Sequence, residues 1–312
     1  MTITLIVSLT LLLADPAGVG PDGPHGGNPV FRTLSDEGWE ASGKRIEFVP
    51  PTVRDGMTEA EEVEALRAVA GSPRAAGEFT RDSVTAPLVM KTRDVQAGGG
   101  VIRQADLWFV VHAGLEEIDP DAIEGKKGGA PVEAGNMKFA SRQLNPDDLA
   151  GARVEAVKPS DGVREGFVHS TGRLLDRIAA ESTDRITATR TDDSWLIASQ
   201  TDRRFDGSAK APNRWSAITR RGAGEEVGPP TVYAGGAGYV KASRLRSVPG
   251  ALLVEVHFAF HEPEGWFRGA PVLKSKFALV AQDRVRGLRR ELTKSQKKPG
   301  ARSSNTPGSG GR

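Results

Sequence analysis

The chain has no cysteine among its 312 residues. That excludes disulfides, thiolate metal sites, thiol nucleophiles and a lipid-anchored N-terminal cysteine. Aromatic residues make up only 6% of the sequence, with 2 Tyr and 5 Trp, so stacking platforms for single-stranded nucleic acid are not expected. Net charge is +2, too small a field to argue for nucleic acid as a partner. No apolar run reaches the ~20 residues of a membrane-spanning helix. What remains is ordinary for a globular protein: 38% hydrophobic and 26% charged residues, with many Gly and Pro.

The apolar run that is present, residues 3–14 (ITLIVSLTLLLA), has the length of a signal-peptide core. A Gly/Pro-rich stretch follows at once. The expected layout is therefore a signal peptide over 1–14 and a flexible linker over 15–30. A first α+β lobe over 31–158 and a second, β-rich lobe over 159–292 ending in an amphipathic helix come next, then a disordered basic tail over 293–312. His25 falls in the linker and is read as solvated. The localisation that follows is export, to the periplasm, the cell envelope or the exterior, with an envelope partner as one option and no span in the mature chain.

The most informative stretch is residues 251–292. Leu252, Val254, Val256, Phe258 and Phe260 share one face of an extended chain, and Leu253, Glu255, His257, Ala259 and His261 share the other. Period two with aromatic and β-branched enrichment predicts a long strand with one dry face, stopped by Pro263 and Gly265. Residues 274–280 read as a further strand. Ala281, Val285, Leu288 and Leu292 then predict a helix, whose wet side would carry Arg284, Arg286, Arg289 and Arg290.

Elsewhere, Thr58 with Glu61 forms a capping box for a helix that Gly71 ends, and Asn145-Pro146 opens a short one. Strands are expected over 45–49, 87–92, 101–115, 174–180, 185–190, 195–200 and 215–218. Gly98 to Gly100 forms a turn, Ser182-Thr183 and 191–194 supply turn chemistry, and 119–135 forms a loop. The fold class is α+β and β-dominated, with antiparallel sheets and few helices. Residues 107–117 (LWFVVHAGLEE) resemble 252–262 (LLVEVHFAFHE), which raises two similar lobes as a possibility.

Motifs for known chemistry are weak. Residues 18–23 (GVGPDG) have the letters of a dinucleotide fingerprint without its strand and helix. Residues 38–44 (GWEASGK) approach a phosphate loop, but Arg45 stands where Ser or Thr belongs. There is no G-x-S-x-G. Glu255 and His257 lie ~6.6 Å apart along one strand face, and His112 is a third candidate if the two long strands are neighbours. These three make a metal-assisted hydrolase one reading, although the spacing specifies no metal and no cofactor is indicated. Arg203, Arg204 and Arg214, with Arg220 and Arg221, could instead clamp an anion. The reading placed first is an exported, non-catalytic binding or structural envelope protein, with substrate and partner unknown.

Export carries a direct consequence. Material from the native host should start between about residues 15 and 18 on N-terminal sequencing; an intact Met1 in a cytosolic fraction would contradict it.

Overall fold

The computed structural model describes residues 25–117, 132–134, 137–155, 162–222, 224–269 and 272–296. In chain order the elements begin with α1 (Pro29–Asp36), the hairpin β1 (Trp39–Ala41) and β2 (Lys44–Ile46), α2 (Glu59–Ala70) and α3 (Pro73–Phe79). Then come β3 (Val89–Ala97), β4 (Gly100–His112), β5 (Val132–Ala134), β6 (Met137–Gln143), α4 (Pro146–Gly151), β7 (Val163–Leu174), β8 (Ile178–Arg190) and β9 (Ser194–Thr201). The chain continues through β10 (Arg214–Arg221), β11 (Gly224–Val227), β12 (Thr231–Val232), β13 (Gly236–Arg244), β14 (Ala251–Pro263) and α5 (Val272–Gln296).

The protein is β-dominated, as its composition and periodicity imply. One large antiparallel sheet runs in the order β3-β4-β14-β13-β9-β8-β7-β6-β5, and β10 pairs with β8 while carrying β11 and β12. The stretches that suggested a repeat are neighbours in this sheet: β4 pairs with β14 antiparallel along its whole length, with Leu107 opposite Val256. Strands from before residue 158 flank both ends of the order, so a single sheet spans the expected lobe boundary and separate lobes do not form around it.

β14 is buried at every one of its 13 positions. Its even-numbered residues face α5: Phe258 and Phe260 meet Phe277 edge-on at 6.0 and 5.6 Å. Leu107, Phe109, Val240, Val254 and Val256 complete that core with Leu273, Ala281 and Val285 of the helix. The odd face was expected to be the wetter one. Instead it is covered by the N-terminal layer. Val30, Leu34, Trp39 and Ile46 pack on Ile102, Leu196, Tyr239 and Ala259. Val53, Leu66 and Phe79 pack on Trp108, Val110 and Leu253. The sheet centre thus lies between two layers, which makes His261 a buried residue and not the exposed one that alternation alone implies.

Other local expectations hold or shift for identifiable reasons. The expected capping box at Thr58–Glu61 forms, Gly71 closes α2 at φ 87°, and the helix expected at Asn145-Pro146 also starts with a capping box, made by Asn145 and Asp148. Gly99, at φ 69°, turns β3 into β4. The phosphate-loop-like residues 38–44 form the β1–β2 hairpin, whose two-residue turn has Ser42 and Gly43 both at positive φ, as a type I′ turn requires. The turn at β7–β8 falls on residues 175–177, so the strand expected over 174–180 is two strand ends. Ser182 and Thr183 do not reverse the chain. There β8 changes neighbour from β10 to β9, and Asn213 Oδ1 accepts the Thr183 N–H at 2.7 Å. Residues 274–280 are helical, because the apolar step of four already begins at Leu273 and Phe277.

The linker expectation is corrected over 25–30. His25, Asn28 and Val30 are buried, and Asn28 caps α1. Residues 293–296 finish α5 and do not belong to a tail. The expected signal peptide, the rest of the linker and residues 297–312 lie outside the described residues, as does most of the loop expected over 119–135, of which 132–134 is β5. Among the described residues no helix is long and apolar enough to cross a membrane.

Phe258→Ala should cost about 3–5 kcal/mol, a large-to-small change in a two-sided core. Leu279→Ala, at 60% exposure on α5, should stay within about 0.5 kcal/mol. Urea unfolding midpoints read both; equal midpoints would contradict the assignment of the α5-facing core.

Candidate functional site

Glu255 sits at the centre of β14 with no exposed surface. A carboxylate there must find donors, because an unpaired buried charge is expensive. It finds three. Residues 47–57, which include Pro50-Pro51 and have little regular structure, run over the odd face of the sheet as a strap. Its Thr52 N–H donates to Oε2 at 2.8 Å and its Val53 N–H to Oε1 at 3.3 Å. Trp108, opposite Glu255 in the register, shares its indole N–H between Thr52 Oγ1 at 2.9 Å and Oε2 at 3.1 Å.

His257, two residues along the same face and also without exposed surface, lies opposite Asp106. Its Nδ1 is 2.8 Å from Asp106 Oδ1, while Nε2 stands 3.7 Å from Glu255 Oε2, an ion contact longer than a hydrogen bond. Tyr239 stacks on the imidazole at 4.7 Å and donates its hydroxyl to the Val49 carbonyl of the strap. Burial pushes the His257 pKa down, but the Asp106 hydrogen bond and the Glu255 charge outweigh it and the net direction is up. For Glu255 burial pushes up, and His257 with the Thr52 donors brings the carboxyl below its usual range. Both directions describe an ionised pair.

A second buried cluster adjoins the first. Lys241, opposite Glu255 on β13, donates to the Val53 carbonyl at 2.8 Å and to Asp55 Oδ1 at 2.9 Å. Asp55 also accepts from Ser194 Oγ at 2.7 Å and from Thr191 Oγ1 at 2.6 Å. His25 Nε2 lies 2.7 Å from Ser194 Oγ, and its Nδ1 lies 2.8 Å from Thr189 Oγ1. Ser, His and Asp therefore meet, but in the wrong order for nucleophilic catalysis. The Ser194 proton goes to Asp55, so its oxygen accepts from His25 Nε2–H, and the imidazole is a donor where a triad needs a base. Burial, helped by the nearby Lys241, lowers the His25 pKa to about 4 and keeps the ring neutral.

The sequence candidates separate accordingly. Glu255 and His257 come together; His112 does not join them. It pairs with Ala251, four residues from Glu255 and thus ~13 Å along the strand, and its Nε2 lies 2.9 Å from the Thr80 carbonyl. Among the described residues no group of three or more His, Asp or Glu is disposed to hold a metal ion. The arginines each face a nearby carboxylate: Arg204 with Asp202, Arg203 with Asp206 at 2.8 Å, and Arg214 with Glu181 at 2.8 Å. Arg220 is largely exposed, 3.9 Å from Asp176, and the Arg221 side chain lies outside the described residues. Sequence reasoning missed Asp106, Lys241, Asp55, Ser194 and the strap. Asp106 and Trp108 share a face by period two, but nothing in the sequence gives the register that sets them beside His257 and Glu255.

No family model matches this chain, and no curated protein matches it in sequence. Among solved structures, human StAR-related lipid transfer protein 5 aligns over 76% of this chain and 98% of its own at 13% identity, with a TM-score of 0.33. A likeness that slight assigns neither fold nor ligand.

Glu255→Leu should cost about 3–5 kcal/mol, since it strands His257 and removes the acceptor of the Thr52 and Val53 amides. The pH dependence has a definite sign. The Glu255 contribution is present above its unfolded value near 4.5 and is lost as pH falls through its lower folded pKa. The His257 contribution is complete below 6.5 and is lost as pH rises through its higher folded pKa. The stability difference between wild type and His257→Gln, from denaturant unfolding, should therefore shrink as pH rises above 6.5; a difference that grows there would contradict the ionised pair.

Proposed function

We propose that this chain is an exported, non-catalytic protein that binds a partner or serves a structural role in or beyond the cell envelope. One observation carries the non-catalytic part: Glu255 and His257 have no exposed surface, and the strap occupies both carboxylate oxygens. A hydrolase needs a carboxylate or imidazole that reaches substrate or water. Here the corresponding atoms hold the strap on the sheet. Export rests on the apolar run over 3–14.

The test is turnover of nitrophenyl ester and phosphate substrates by purified protein, with and without added zinc or manganese. The expected result is no turnover above buffer that Glu255→Gln or His257→Gln removes. Hydrolysis abolished by either substitution in a folded variant would restore the hydrolase reading.

A further inference from the structure

The sequence places Arg284, Arg286, Arg289 and Arg290 on the wet side of the last helix. Arg289 is not there. It is buried, and its guanidinium donates to the Val110 and Ala86 carbonyls beside the start of β3, where Pro87 has no N–H to offer. Arg284 is half-buried, while Arg286 and Arg290 are exposed.

The stripe of α5 that faces away from the sheet is Lys276, Leu279, Asp283, Arg286, Arg290 and Lys294, all exposed and recurring at steps of three and four. It runs ~27 Å at the rise of an α-helix. Arg203, Arg204 and Arg214 each face a carboxylate, but among the described residues none of the cations on this stripe has an ion-pair partner. Arg286, Arg290 and Lys294 are successive neighbours four residues apart, a spacing at which like charges disfavour a helix. Only Lys294 lies in the last turn, where the helix dipole favours a cation. The stripe therefore works against the helix that carries it, and an external anionic surface would relieve the repulsion.

Charge along the chain is divided to match. Residues 272–312 hold 11 Lys and Arg against 2 Asp and Glu, where the whole chain has 42 against 40. The 271 residues before them therefore carry 31 against 38. The small net charge conceals a basic stretch on an otherwise acidic molecule, which turns α5 toward an anionic surface and the remainder away from it.

We propose that the outward stripe of α5 docks on the anionic surface of a phospholipid membrane. The apolar stripe of α5 is already packed on the sheet, so attachment is electrostatic and peripheral, without insertion of the helix. Leu279, 60% exposed among the cations, favours lipid over nucleic acid: a head-group layer takes up an isolated apolar side chain, and duplex phosphates do not. Mobile lipids also redistribute around Asp283, whereas duplex phosphates are fixed in place. An anionic membrane is a partner for the binding role, and its assignment rests on that role; vesicle binding and turnover are separate measurements, so either can fail alone.

The test is co-sedimentation of the full chain with vesicles of phosphatidylcholine alone and of equimolar phosphatidylcholine and phosphatidylglycerol, at low and at high sodium chloride. The chain should partition onto the mixed vesicles at low salt, release at high salt, and ignore phosphatidylcholine alone. Arg286→Gln, Arg290→Gln and Lys294→Gln combined should weaken partitioning by ~100-fold, about fivefold per cation, with Tm unchanged or raised. Arg286→Lys with Arg290→Lys should retain it, because a surface potential reads charge and not the guanidinium fork. Equal binding to both vesicle types, binding to neither, undiminished binding by the combined Gln substitutions, or loss in the conservative variant would each overturn the proposal. So would duplex DNA of mixed sequence bound as tightly at the same low salt, which would make nucleic acid the partner.

Discussion

An ionised carboxylate in the middle of the central strand constrains everything around it. Glu255 has no access to water, and of its cross-strand neighbours Trp108 is aromatic while the Lys241 ammonium is bonded to Val53 and Asp55. Backbone donors within a sheet are already committed to the ladder, so the charge must be met from outside it. Residues 47–57 meet it, with two consecutive amides that no secondary structure uses. The same segment accepts from Lys241 and Tyr239 through the Val53 and Val49 carbonyls. An irregular strap can lie buried because its polar groups pair with side chains of the sheet.

The two faces of the sheet are closed by different physics. Toward α5 the contact is apolar and aromatic, with Phe258, Phe260 and Phe277 at its centre. Toward the N-terminal layer, polar and charged groups are interleaved with the apolar ones: Glu255, His257, Lys241, Asp55, Ser194 and His25 are linked almost continuously. Apolar packing tolerates small shifts, whereas a buried hydrogen-bonded network fixes one register. The strap and α1 are therefore specified in position as well as stabilised. Arg289 does a related task at the sheet edge, supplying donors where Pro87 cannot.

Much of the fold was legible because it rests on local chemistry. Alternation in 251–260 gave β14 and its α5-facing side, the Thr58–Glu61 pair and Asn145-Pro146 gave two helix starts, and the glycines at 98–100 gave a hairpin. The layer on the odd face was not legible. A run such as Leu253, Glu255, His257, Ala259 and His261 looks half-wet by composition, and only long-range pairing decides whether it is covered. His25 shows the same limit, since a Gly/Pro-rich stretch signals a linker while two hydroxyls more than 160 residues away bury the ring. Glu255 with His257 was readable as a pair from period two; their shared structural role depends on strap amides that carry no sequence signature. The steps of four from Leu273 to Val285 were readable, and the helix start was misplaced because 274–280 also satisfies a short strand pattern.

Native-state hydrogen exchange at the Thr52 and Val53 amides tests the central claim most directly. If the Glu255 cluster makes the strap an integral layer of the core, both amides should exchange only through global unfolding, at the free energy that denaturant unfolding gives. Exchange at a markedly lower free energy, with the β14 amides still protected, would show the strap opening locally and would contradict the account.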